Sequence, residues 1–190
     1  MAHTRWEVFT SHDEPVGLLY RRWDETELIT ETVFGHDERL SSRIILSGTS
    51  WARSEYTEGE DDPIILDALS LEYEPEDAIP WPLVFLLVER LVTEGTDLAT
   101  PVAFHVIEPS DRSGLARPAA VWAPDADTIE VEIDGLLDTT YRVANGAIIA
   151  STHNHGLDSH VDMPRTAAAR LHGVVDEALL NRLLALEPSS

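Results

Sequence analysis

The stretch Ile79–Val92, IPWPLVFLLVERLV, decides how the rest of the chain is read. Every position from Leu83 to Val88 is apolar. A helix that is apolar all round has to be buried on most sides. Pro80 and Pro82 suit a first turn, where no N–H is needed. Glu76 and Asp77 place negative charge near the positive end of the helix dipole. Gly95 stands where a left-handed residue would close the helix. The run is shorter than the roughly 20 apolar residues of a membrane span. The pattern therefore predicts a buried central helix over 80–93.

On both sides of it the sequence alternates as strands do. Arg5–Thr10 puts Trp6 and Val8 on one face, His12–Gly17 carries the turn residues Pro15 and Gly17, and Leu18–Trp23 returns. Leu28–Phe34 is a third strand. Arg43–Thr57 reads as one long strand, bent or bulged at Gly48. Ile64–Tyr73 fits a strand or a short helix, with strand preferred. Beyond the helix, Val102–Ile107, Ala119–Trp122 and Thr128–Ile133 are strands, and Pro109–Arg117 is a loop. Thr139–Val143 and Ala147–Thr152 flank Asn145-Gly146, the favoured two-residue hairpin turn. Arg165–Leu186 is a second helix, with Pro164 near its start, Asp162 as a candidate cap, and an apolar stripe from Leu171 to Leu186.

The fold class expected is α+β: a strongly curved antiparallel sheet around the central apolar helix, with an added C-terminal helix. At 190 residues a single domain, 1–190, is the default. The sheet and central helix occupy 1–157, and the C-terminal helix, 164–187, packs on them.

Charge is the strongest compositional feature. There are 35 acidic and 13 basic residues, for a net charge of -22, and every one of the 13 is Arg. An acidic, lysine-free surface resembles proteins of high-salt cytoplasms or GC-rich genomes. Such a field repels phosphate backbones and anionic bilayers, which argues against nucleic-acid and membrane partners. Cysteine is absent, which removes disulfides, thiolate nucleophiles and cysteine metal sites. Met1–Phe9 lacks the basic-then-apolar pattern of a signal peptide, so a cytoplasmic location is expected. The acidic run Glu58–Asp62 lacks calcium-loop spacing and reads as a solvated loop.

Three segments carry a family likeness: TRWEVFTSHDEPVGLLYRR near the start, the central apolar helix, and VEIDGLLDTTYRVANGAIIAS. Together they resemble the half-barrel families of the bacterial lipoprotein carrier and its uncharacterised relatives. That resemblance implies a half-barrel sheet whose concave face is covered by helices, and an acyl or otherwise apolar ligand. It transfers no catalytic residue. The family's export signal is missing, and the long C-terminal helix is an addition.

Candidate chemistry lies in two places. His153-Asn154-His155-Gly156-Leu157-Asp158-Ser159-His160-Val161-Asp162 is the densest polar cluster. If Gly156–Ser159 turned the chain back, His155 would face His160, and His153 would face Asp162. Three imidazoles and a carboxylate suit a divalent transition metal such as zinc, nickel or ferrous iron. A polar linker before the last helix would have the same composition. Elsewhere the aromatic residues Trp51, Trp81, Phe85, Trp122 and Tyr141 are candidates for lining an apolar pocket. No Gly-x-Ser-x-Gly elbow, Walker pattern or dinucleotide fingerprint occurs.

Three functions follow from these readings. The first is a binding module for a hydrophobic small molecule, in a groove between sheet and helix, with no cofactor. The second is a metal-dependent enzyme built on His153, His155, His160 and Asp162. The third is an interaction protein that docks on a partner, or pairs with a second copy, through helix 165–186. Whether any catalysis occurs is left open.

Overall fold

The computed structural model describes residues 2–74, 77–154 and 156–187. The chain is α+β, mostly sheet: an open, curved, mixed sheet accompanied by three α-helices among the described residues.

The first half is a meander of β1 (His3–Ser11), β2 (Glu14–Trp23), β3 (Glu27–Phe34), β4 (Glu38–Ser47), β5 (Ser50–Glu58) and β6 (Ile64–Asp67). The second half opens with β7 (Ala78–Pro80) and α1 (Leu83–Glu94). It continues through β8 (Val102–Ile107), β9 (Ala116–Asp125), β10 (Thr128–Ile133), β11 (Leu136–Ala144), β12 (Ala147–His153) and β13 (Asp158–Asp162). Two helices, α2 (Pro164–Leu171) and α3 (Glu177–Ala185), follow. The strand order is β6-β5-β4-β3-β2-β1-β13-β12-β11-β10-β9-β8-β7. The two meanders are therefore joined where β1 pairs with β13, Val8 opposite His160 and Phe9 opposite Ser159.

Several expectations change. The sheet is mixed rather than antiparallel, because β7 runs parallel to β8. Pro80 belongs to β7, so α1 begins at Leu83, three residues later than the pattern predicts. A helix between two strands is the usual way to return the chain in the same direction, and α1 is that crossover. Gly95 closes the helix as expected, at φ 64°, its N–H donating to the carbonyls of Leu91 and Val92. The predicted long strand 43–57 is a hairpin, β4 and β5, with Gly48 at φ 62° in its turn. In the β1–β2 hairpin the turn falls on His12 and Asp13, both at positive φ, while Pro15 and Gly17 lie within β2. Asn145-Gly146 makes the expected turn, with φ 54° and 73°.

The C-terminal helix is two helices. Gly173 at φ 75° interrupts it, and Asp176 starts α3 by accepting from the backbone N–H groups of Ala178 and Leu179. At the start of α2, Asp162 is not the cap. Its Oδ2 accepts instead from Arg170 Nη1 at 2.6 Å. The apolar stripe of both helices is covered by the chain's own sheet. Ala167, Leu171, Val175 and Leu183 pack against Trp6, Val8, Leu18 and Tyr20.

Helix α1 lies against the other face. Val84, Phe85, Val88 and Leu91 pack with Val121, Ile129, Val131 and Tyr141 of β9–β11. Leu83 joins a further cluster with Leu28, Ile44 and Trp51 of β3–β5. Consecutive residues of a strand point to opposite faces. On β1, Trp6 and Val8 accordingly lie under α2 and α3, whereas Arg5, Glu7 and Phe9 face α1's side. Both faces of β1 are covered, so Glu7 is only 1% exposed. The two ends of the sheet also approach each other: Trp51 Nε1 of β5 donates to the carbonyl of Ala78 in β7 at 2.8 Å.

Candidate functional site

The inner face of β2–β4 is not uniformly apolar. Pairings Arg21 with Thr30, Thr30 with Ser42, Leu19 with Thr32, and Thr32 with Leu40 put all of these side chains on one side. They form the floor of a groove of about 390 Å3. Its walls are Phe9 and Phe34, whose rings are 5.0 Å apart, Trp81 and Pro82 ahead of α1, and His153 of β12. Gly17 allows this wall. A Cβ there would lie 2.5 Å from the Val33 carbonyl and 2.6 Å from the Phe34 ring. Phe34 can therefore fold down over β2 and meet Phe9.

A continuous chain of polar contacts runs from the groove wall into the interior. Trp81 Nε1 and Thr139 Oγ1 both donate to Asp138 Oδ2, at 3.3 and 2.9 Å. Thr139 Oγ1 lies 3.4 Å from His153 Nδ1, and Ser151 Oγ lies 3.2 Å from His153 Nε2. Ser151 and Ser159 share a 2.7 Å hydrogen bond, and Ser159 Oγ donates to Glu7 Oε2 at 2.8 Å. Glu7 Oε1 then accepts from Arg5 Nε at 3.0 Å and from Arg21 Nη1. Both guanidinium groups lie over the Phe85 ring, Arg21 at 4.1 Å and Arg5 at 5.0 Å from its centroid. Burial lowers the Arg5 pKa to about 10 and that of Arg21 to about 9. Both remain cations at neutral pH, short of water and attracted to whatever negative charge comes near. Burial also raises the pKa of the Tyr141 phenol beside them.

The predicted aromatic residues divide. Trp81 lines the groove, and Phe85 and Tyr141 line a small chamber at its inner side. Trp51 is 1% exposed in the packed cluster under β3–β5, its N–H bound to Ala78. Trp122 pairs with Glu130 and sits on the strand face opposite Val121, away from α1. The structure does not bring these two to the groove.

The histidine cluster takes a different register from the one a metal site needs. Ala150 lies opposite His160, and Ser151 opposite Ser159. His160 and Asp162 are thus on the Trp6–Val8 face of the sheet, while His153 is on the α1 side with Phe9, 5.6 Å away between ring centroids. The turn that sets this register is shorter in reach than expected: His153 N–H donates to the Leu157 carbonyl at 2.9 Å. His155 lies outside the described residues. Among the described residues no three His, Asp or Glu side chains are grouped to hold a metal ion. Ser151 contacts a histidine, but it is 2% exposed and committed to Ser159, so a substrate carbonyl cannot reach it. The arrangement offers aromatic walls, a hydroxyl floor and one cationic end.

Arg5, Glu7, Arg21, Thr30, Thr32 and Ser42 were not among the predicted site residues. On β3 the spacing of Leu28, Thr30 and Thr32 on one face is a visible signal of a mixed floor. The charged residues of β1 and β2 carry the opposite signal, since charge alternating with Trp6 and Val8 reads as a solvent face.

Another hollow, of about 550 Å3, is lined by Ile79, Leu83, Leu86, Leu87 and Phe104 beside α1's first turns. A cleft of about 1250 Å3 is lined by charges of both signs, among them Arg5, Glu89, Asp162 and Arg165. No described helix is long and apolar enough to cross a membrane. Compared with protein-family models, curated proteins and solved structures, the chain matches none.

Proposed function

We propose that this chain binds a hydrophobic small molecule in the groove between β2–β4 and the start of α1, its sheet wrapped around α1 as a half-barrel. The observation that carries the reading is the groove itself. Its volume of about 390 Å3 falls within the range of roughly 300–1,000 Å3 typical of ligand pockets. Phe9, Phe34, Leu40, Trp81 and Pro82 give it apolar walls, the hydroxyls of Thr30, Thr32 and Ser42 lie on its floor, and Glu108, Asp138 and His153 add polar groups at its sides. The wrapped sheet is supported by α1 packing with strands from both meanders, and by the Trp51–Ala78 link between the sheet's two ends. Sequestering or presenting an apolar molecule needs no further chemistry.

A neutral, environment-sensitive apolar dye tests this. The wild-type chain should take up the dye and brighten it, and a fatty acid or alcohol should displace it. Thr32→Trp, which puts an indole into the groove, should abolish uptake while circular dichroism is unchanged. No uptake by the folded wild type, or uptake untouched by T32W, removes the proposal.

A further inference from the structure

We infer that the occupant of the groove is an amphiphile with a carboxylate head, seated head-first with the carboxylate at Arg21 and Tyr141 and its apolar chain between Phe9, Phe34 and Leu40. The inference rests on the groove reading and specifies its ligand.

At the inner side of the groove lies a second chamber of about 30 Å3. The two hollows share Leu19, Thr30, Thr32, Trp81 and Pro82 as walls. Such a space is comparable with the volume of about 30 Å3 that one water takes in the liquid, room for one head-group oxygen with the rest of the head at the opening into the groove. The polar residues lining it are Arg21, Thr30, Thr32 and Tyr141. Each can donate a hydrogen bond, and none is acidic. In a chain with 35 acidic residues, a chamber whose one charged wall is a cation is the reverse of what composition would produce.

The surrounding charges point the same way. Two guanidinium groups share the Phe85 ring, and one fully buried carboxylate, Glu7, lies between them. Arg5 lines the cleft beside Glu89 and not the chamber, so Arg21 is the cation available to a head group there. Glu89 also faces this pair, but it is only partly buried and lies at the far side, near His3. Asp138 stands on the groove side and already accepts from Trp81 and Thr139. At the mouth, Glu108 is offset by Arg117 at 3.7 Å. An anion in the chamber would meet Arg21 directly, away from the Glu7 carboxylate's other partner, Arg5.

Shape selects among anions. A guanidinium matches a planar carboxylate through paired N–H donors. A tetrahedral phosphate presents its oxygens out of one plane and meets the flat guanidinium less evenly. The apolar remainder of the ligand would leave the chamber past Thr32 and lie along Phe9 and Phe34.

The test compares head groups on one tail, using the full chain and fluorescence or calorimetric titration. Decanoate, decanol, decyl phosphate and decyltrimethylammonium are the probes. Decanoate should bind at least about tenfold more tightly than decanol, as a charge-assisted bond in a dry site requires. Tyr141→Phe and Thr30→Val should weaken decanoate and leave decanol unchanged. Arg21→Gln strips buried Glu7 of a counter-charge and threatens the fold itself, so the head-group comparison on the wild type decides. Equal binding of decanoate and decanol overturns the carboxylate head while sparing the groove. Tighter binding of the phosphate or the ammonium overturns it also. Failure of all four probes overturns the groove reading and this inference with it.

Discussion

Ser159 Oγ donates to Glu7 Oε2 at 2.8 Å across 152 positions of sequence, fastening β13 to β1 in the middle of the sheet. Glu7 is the shared acceptor for that hydroxyl and for two guanidinium groups. Removing one partner of a buried charged cluster is costly because the others lose their counter-charge. Glu7→Ala should therefore destabilise the chain by about 3–5 kcal/mol. Ser159→Ala, which leaves one carboxylate oxygen without its donor, should cost about 1–3 kcal/mol. Urea unfolding of the two variants measures both, and a smaller loss in E7A than in S159A would contradict the cluster.

Gly17 makes a second prediction. A methyl group at this position meets the Val33 carbonyl and the Phe34 ring at 2.5 and 2.6 Å. Gly17→Ala should destabilise by about 1–3 kcal/mol, as overpacking does. It should also lower dye uptake, since Phe34 must swing away from Phe9. Unchanged stability would mean that the strand pair relaxes freely.

Net charge gives a third. With -22 on 190 residues, self-repulsion opposes the folded state. The screening length falls from about 30 Å at 0.01 M salt to about 3 Å at 1 M. The melting temperature should climb over that range. A flat profile would show that the acidic surface is not under strain.

Glu89 sets a dependence on pH. Burial raises its pKa above the ordinary 4.5, against the opposing pull of Arg5, His3 and Arg21. The folded chain therefore holds this proton more tightly than the unfolded one. Stability contributed by protonated Glu89 is lost as pH rises from the ordinary value through the raised one. Glu89→Gln should remove that loss, making the variant relatively more stable at neutral pH. Unfolding free energies of both chains at a series of pH values check the sign.

Trp51 tests the approach of the sheet's ends. Trp51→Phe keeps the ring in its cluster and deletes the N–H that Ala78 receives. The expected loss is about 1–3 kcal/mol. Hydrogen exchange should quicken in β6 and β7 before it does in β1 and β13.

Much of the architecture was legible in the residues. The all-apolar run at Leu83–Val88 announced a buried helix, and Asn145-Gly146 announced its hairpin, because both signals are local. The parallel β7 was not legible. Ala78–Pro80 is three residues long, and two prolines nearby suit a helix start equally well. The break at Gly173 was hidden because the apolar stripe keeps its spacing on both sides of it. The site was harder still. Trp81, Phe85 and Tyr141 stand at the groove or its chamber, but Trp51 and Trp122 have the same composition and different strand faces. Arg5, Glu7 and Arg21 alternate with apolar neighbours as solvent-facing residues do. Only the helix on each side of β1 and β2 makes them interior, and that is a property of the whole chain.

The pairing of β1 with β13 bears on how the molecule is made. Neither meander can present its central edge to the other until almost all of the sheet has been synthesised. A nascent chain on the ribosome would hold β1 with one side unsatisfied, including the charged row of Arg5 and Glu7, for most of translation. Distant pairings of this kind slow folding, since a long loop has to close before the contact repays it. Within each meander the pairings are local, so the slowest step in forming this sheet should be the meeting of the first strand with the last.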